Sequence, residues 1–154
     1  MLLEQRLSDL ALVLPETAAP GARYAAIVMH AGVAWVSGQL PRDGDRVLHA
    51  GKLGRDVTIA AAQAGARVAL LRGLAALRDE LGGLARVRQV LKLTVFVNST
   101  ADFTEHSAVA DGASALIYDL FGPEHGRHAR TSVGVAQLPR NGCIELDLVV
   151  ALVD

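Results

Sequence analysis

The chain has 154 residues, a formal net charge of −1, 51% hydrophobic residues, one tryptophan, two tyrosines, three phenylalanines and a single cysteine. The near-neutral balance leaves no basic field to draw in nucleic acid or membrane phosphates, and scarce aromatics weaken a base-stacking reading. One cysteine, Cys143, excludes an intrachain disulfide framework, and no apolar run reaches the ~18 residues that read as a membrane span.

With no basic stretch followed by an apolar block at the start, a cytoplasmic protein is expected. The length suits one domain over 1–154, and no repeat, linker or low-complexity tract divides it. The mean hydropathy is positive. Surplus apolar surface of that kind points to an obligate homo-oligomer.

In chain order, Leu3, Leu7, Leu10 and Leu14 predict a short amphipathic helix within Leu2–Leu12, and Pro15 and Pro20 bracket a loop, making 1–22 an N-terminal extension. Tyr24–Met29 and Val33–Val36 read as two strands, the second ending at Ser37-Gly38-Gln39-Leu40-Pro41. Arg42–Leu53 reads as an exposed loop with room for a short strand. Thr58 caps a long helix over Ile59–Leu81, ended by Gly82-Gly83, with Val68, Leu71, Leu74 and Leu77 or Leu81 as its buried stripe and Arg67, Arg72, Arg78, Asp79 and Glu80 opposite. Val90–Val97 is the clearest strand. Asp102 and Glu105 form a capping-box pattern for a second helix through Tyr118 or Leu120, stopped by Gly122-Pro123. Two strands, Arg130–Ala136 and Cys143–Val150, flank the turn Pro139-Arg140-Asn141-Gly142. The order β-β-α-β-α-β-β predicts an α+β fold, a mixed sheet with two helices on one face.

A hairpin of the last two strands would set Arg130 and Glu145 side by side at one open end. The planar guanidinium fork suits a carboxylate, so the pair reads either as a small-anion site with a water-positioning carboxylate or as an edge ion pair. His106, His125 and His128 lack helical i, i+4 spacing and read as surface loop residues rather than metal ligands. Cys143 has no partner base in its neighbourhood and reads as a small core residue. Ser37 lacks the Gly-x-Ser-x-Gly context of a nucleophile elbow, and the glycines at 51, 54 and 65 match no phosphate loop. Tyr24, Trp35 and Phe103 are scattered.

Three motifs taken together, Ser37-Gly38-Gln39-Leu40-Pro41, Leu93–Val97 with Asp102-Phe103, and Ala129–Val133 through Leu138-Pro139 to Ile144-Glu145, resemble a divergent branch of the RidA (YjgF/YER057c/UK114) family, formerly labelled endoribonuclease L-PSP. The resemblance implies a chorismate-mutase-like fold, a homotrimer and ligand clefts between subunits. It further implies a 2-iminobutanoate/2-iminopropanoate deaminase-like activity, hydrolysing enamine and imine intermediates to 2-keto acids and ammonia without metal or cofactor. Arg130 then matches the carboxylate-gripping arginine and Glu145 the water-orienting glutamate. Tyr24, Gly38 and Ser132 fall at substrate-binding positions. Ser132 stands where the family has cysteine, His128 where it has proline, and the asparagine expected near Ser107 is missing. Non-catalytic binding of a small carboxylate metabolite is the alternative. A ribonuclease or translation inhibitor is disfavoured by charge and composition.

Overall fold

A computed structural model describes residues 3–154. Its elements are α1 (Leu3–Asp9), β1 (Ile27–His30), β2 (Val33–Gln39), β3 (Arg42–Asp43), β4 (Arg46–Val47), α2 (Ile59–Leu81), β5 (Val87–Asn98), α3 (His106–His125), β6 (Ala129–Val135), a 3₁₀ turn Pro139–Asn141, and β7 (Ile144–Leu152). Leu2, the first residue of the expected N-terminal helix, lies outside the described residues.

The main sheet runs β1-β2-β7-β5-β6, antiparallel except where β6 joins β5 in parallel. Ala31 and Gly32 both take positive φ and close the β1–β2 hairpin tightly. The predicted hairpin between the last two strands does not form. β5 lies between β6 and β7, because its alternating Val90, Leu93, Val95 and Val97 form the longest apolar seam and pair on both sides.

Both long helices cover one face of the sheet. Leu70, Leu74 and Leu77 of α2 and Leu116 and Ile117 of α3 are fully buried with Leu93, Ile144, Leu146 and Leu148 of the sheet. Each such side chain contributes roughly 1.5–3 kcal/mol on leaving water. The Thr58 hydroxyl accepts from Ala61 N–H, and Gly82 closes α2 in the left-handed conformation, as predicted.

The stripe predicted for α2 is corrected. Leu74 and Leu77 are buried as expected, but Val68, Leu71 and Leu81 are half-buried, while Ala62, Ala66 and Ala69 are fully buried and Arg72 is largely so. α2 packs against the sheet on one side and α3 on the other, and its alanines admit both neighbours. Arg72, expected on the solvent side, is instead buried beside Arg42, whose carbonyl accepts from its Nη1 at 3.4 Å; its Nε has no partner among the described residues, and burial lowers its pKa.

The capping box of α3 is also absent. Asp102 instead accepts from Thr100 Oγ1, and Glu105 sits at the N-cap without a side-chain bond. The expected break at Gly122 is present as φ 75°, ψ 179°, followed by one further turn through Pro123.

Candidate functional site

Arg130 enters on the edge strand β6. Its register partner is Leu93, which is buried beneath the helices, so Arg130 points to the helix-covered face. There Nη1 donates to Asp111 Oδ1 at 2.8 Å and Ser114 Oγ at 3.1 Å, from two positions three apart on α3. Ser114 Oγ lies 2.9 Å from His128 Nε2, and His128 Nδ1 lies 2.7 Å from Gly126 O. A carbonyl only accepts, so Nδ1 donates. In the neutral ring Nε2 then accepts from the Ser114 hydroxyl, which in turn accepts from Arg130. The Tyr118 ring packs 5.8 Å from that of His128. The side chain of Arg130 is 23% exposed against 63% for Asp111. Among the described residues, its Nε and Nη2 have no protein acceptor.

Glu145 belongs to the other face. It pairs with Phe96, whereas Arg130 pairs with Leu93, and three steps along β5 reverse the direction of the side chain. The expected side-by-side arrangement of Arg130 and Glu145 is thus not found within one protomer, and neither is an ion pair between them. Arg130 pairs with Asp111 instead.

The reason Gly38 stands where it does is local. Between Val36 and Gln39 the β2–β7 register slips by one residue, a β-bulge at Ser37-Gly38. A Cβ at Gly38 would stand 3.1 Å from Glu145 Cδ, with Oε1 nearer still, well inside the 3.0 Å that real Cβ contacts respect. The carboxyl therefore lies directly over the glycine backbone. Burial, and then the charge of Asp147, raises the Glu145 pKa. Ser37 donates to Ala25 O through its hydroxyl at 2.7 Å and to Ala26 O through its N–H, tying the segment before β1 to this bulge. Tyr24 lies in that segment rather than in a strand, 61% exposed. Ser132, two residues beyond Arg130 and half-buried, pairs with Val95 and shares the helix-side face.

The three histidines are not alike. His128 is part of the Arg130 chain of contacts, and His106 lies 3.3 Å from Ser99 Oγ, so neither is a free surface ring. His125 lines a separate groove with Arg6 and Arg88. No group of three His, Cys, Asp or Glu among the described residues is placed to hold a metal ion. Cys143 is buried as expected, and its thiol is pushed up to about 11 by desolvation. Asp111 and Ser114 were not singled out from sequence. Their i, i+3 spacing puts them on one helix face, but nothing local says that β6 passes under it.

Residues 4–152 match the family model described as "YjgF/chorismate_mutase-like, putative endoribonuclease". Protein TCP17 of Trypanosoma cruzi is 46% identical over 146 residues, covering 95% of this chain and 91% of that protein. The protein Atu1372 of Agrobacterium tumefaciens, whose structure is described as of unknown function, superposes with a TM-score of 0.88 at 38% identity, over 99% of this chain and 94% of that one. A Shewanella oneidensis MR-1 protein described as "a putative endoribonuclease" gives 0.92 at 33% identity, over 99% and 100%. With the mixed α+β architecture, the bulged Ser37-Gly38 beneath Glu145 and the Arg130 edge, these matches make the chain a member of the YjgF/chorismate-mutase-like family.

Proposed function

We propose that the protein hydrolyses small 2-imino acids to 2-keto acids and ammonia in clefts between the subunits of a homotrimer. The observation that carries this reading is Arg130. It is half-buried and anchored through Nη1, with Nε and Nη2 left over as the two parallel donors that a carboxylate accepts. The opposite placement of Glu145 favours a shared site, in which the β6 edge of one protomer meets the open sheet face of the next. That face is apolar where it is bare: Val28 is 56%, Trp35 44% and Val133 41% exposed, and such a surface favours a subunit contact.

The chemistry needs little more. Arg130 fixes the substrate carboxylate. Glu145 accepts a proton from water as the water oxygen bonds to C2 of the protonated imine and the C=N π pair moves to nitrogen, giving a neutral carbinolamine. The carboxyl, whose pKa is raised, then returns that proton to nitrogen, and the C–N bond breaks as the hydroxyl O–H pair forms the keto C=O, its proton passing to the carboxylate while ammonia leaves. This accounting requires neither metal nor organic cofactor.

Binding without turnover is the second reading, and Asp111 favours it: a carboxylate already bonded to Arg130 competes with a substrate carboxylate. Freshly generated 2-aminoacrylate distinguishes the two. Faster ammonia release than in buffer, lost in Arg130→Ala with the oligomer intact by sedimentation, supports the hydrolase. Saturable 2-oxobutanoate binding with no acceleration supports the binding protein. RNA cleavage lost with Arg130 would replace both.

A further inference from the structure

A second concave site lies at the far end of β6. A groove of about 730 Å³ is lined by Lys52, Arg55, Ser99, Thr100, Phe103, His106 and the residues Gly134–Ala136. Arg130 is not part of its wall, and Gly134 lies four steps along the strand from Arg130, a span of roughly 13 Å. It is an open groove rather than an enclosed chamber, wide enough for a small metabolite to lie along it.

No carboxylate is among the lining residues. Lys52 Nζ is held by Asn98 Oδ1 at 2.7 Å and by the Ala136 carbonyl, both neutral, and it takes part in no ion pair among the described residues. The ammonium is thus fixed in place by neutral acceptors, with a third hydrogen to donate, and the nearest carboxylate to feel its charge, Asp56, is bonded to the Lys52 backbone and to Arg55 rather than to Nζ. Arg55 spends Nε and Nη2 on Asp56, which also accepts the Lys52 backbone N–H, and keeps Nη1. Asp102, beyond the rim, is occupied by the Thr100 hydroxyl. The first residue of α3, His106, faces the groove, and that helix end has no side-chain cap. Its free N–H groups add positive potential.

Gly134 makes the arrangement possible. A Cβ there would stand 2.5 Å from His106 Nε2 and 2.8 Å from Ser99 Oγ, so only a glycine lets both polar groups close over the strand. The Phe103 ring meets His106 edge-on at 5.2 Å between centroids, giving the groove one flat apolar wall.

We propose that this groove binds the phosphate of a small phosphomonoester. Single donors from separate elements (an ammonium, one guanidinium N–H, the one hydrogen that the bonded Ser99–His106 pair leaves free, and a helix amino end) suit a tetrahedral oxyanion carrying nearly two charges. A planar carboxylate is served better by one fork. Phe103 takes the apolar body of the ligand.

Phenyl phosphate is the probe, titrated calorimetrically into the full chain with inorganic phosphate as competitor. Saturable binding in the millimolar range or tighter is expected. Lys52→Met should weaken it about tenfold and Arg55→Ala about threefold, with no change in Arg130→Ala. Lys52 also braces Asn98, so Arg55→Ala, at an exposed position, keeps the test valid if Lys52→Met unfolds. Absence of saturable binding overturns the proposal. So does binding that survives Arg55→Ala and Lys52→Met but disappears in Arg130→Ala. A short single-stranded RNA whose affinity rises with length and exceeds that of phenyl phosphate overturns it in favour of a nucleic-acid surface.

Discussion

Gly38→Ala tests whether the bulge exists to seat Glu145. The added methyl would meet Glu145 Cδ at 3.1 Å and Cγ at 3.4 Å, so the carboxyl carbon must back off to the 3.4–4 Å of ordinary contact and the oxygen in front of it by more. Glu145 is flexible, so the chain yields by leaving its rotamer, at about 1 kcal/mol. In a Glu145→Ala background the obstacle is gone and Gly38→Ala should be nearly neutral. The double-mutant cycle, read from urea midpoints at one fixed protein concentration, should therefore give a coupling of about 1 kcal/mol. Under the proposed hydrolysis, the same displacement should lower kcat/KM for 2-aminoacrylate about 100-fold, since a Glu145 carboxylate about 1 Å out of place would no longer aim water at C2. Additive stability effects together with wild-type turnover would refute the account of Gly38.

Glu145→Gln should stabilise the protein at neutral pH. A folded-state pKa raised above the unfolded value means that the native state loses stability as pH rises through that interval, so the gain should fade below the ordinary glutamate value of about pH 4, as urea unfolding at the two pH values would reveal. Asn98→Ala should cost about 2–4 kcal/mol in chemical denaturation, because its buried amide donates to Gly51 O, Asn141 Oδ1 and Gly142 O and its carbonyl accepts from Lys52. Cys143 should react with an aromatic disulfide only as fast as the protein unfolds, since its thiol is buried and pushed up to about 11; rapid labelling of the native chain would contradict that placement.

Much of the fold was legible because the signals were local. Thr58 and Gly82 bound α2 where they were expected, and the apolar residues of β5 marked the clearest strand, one that pairs on both sides. The misreadings share a different origin. Arg72 looks like a solvent-face residue on any helical wheel, yet it is buried beside Arg42, a neighbour 30 residues away that no pattern along α2 encodes. Asp102 and Glu105 have capping-box spacing, but the Thr100 hydroxyl claims Asp102 first. His128 read as a loop histidine because Ser114 approaches it from a helix whose position no pattern in the strand encodes.

The order of amino acids was sufficient, alone, for the element types, the family motifs and the identities of Arg130, Glu145 and Gly38 as positions of interest. Tertiary structure decided how they stand to one another. Inserting β5 between β6 and β7 turned an apparent hairpin pair into residues on opposite faces of one sheet, one under α3 and the other over a glycine bulge. The physical reason is that strand neighbours are chosen by the burial of whole apolar seams across the sheet, a sum over distant segments. The chemistry of a short motif is written in a few adjacent side chains and can be read before the chain has folded.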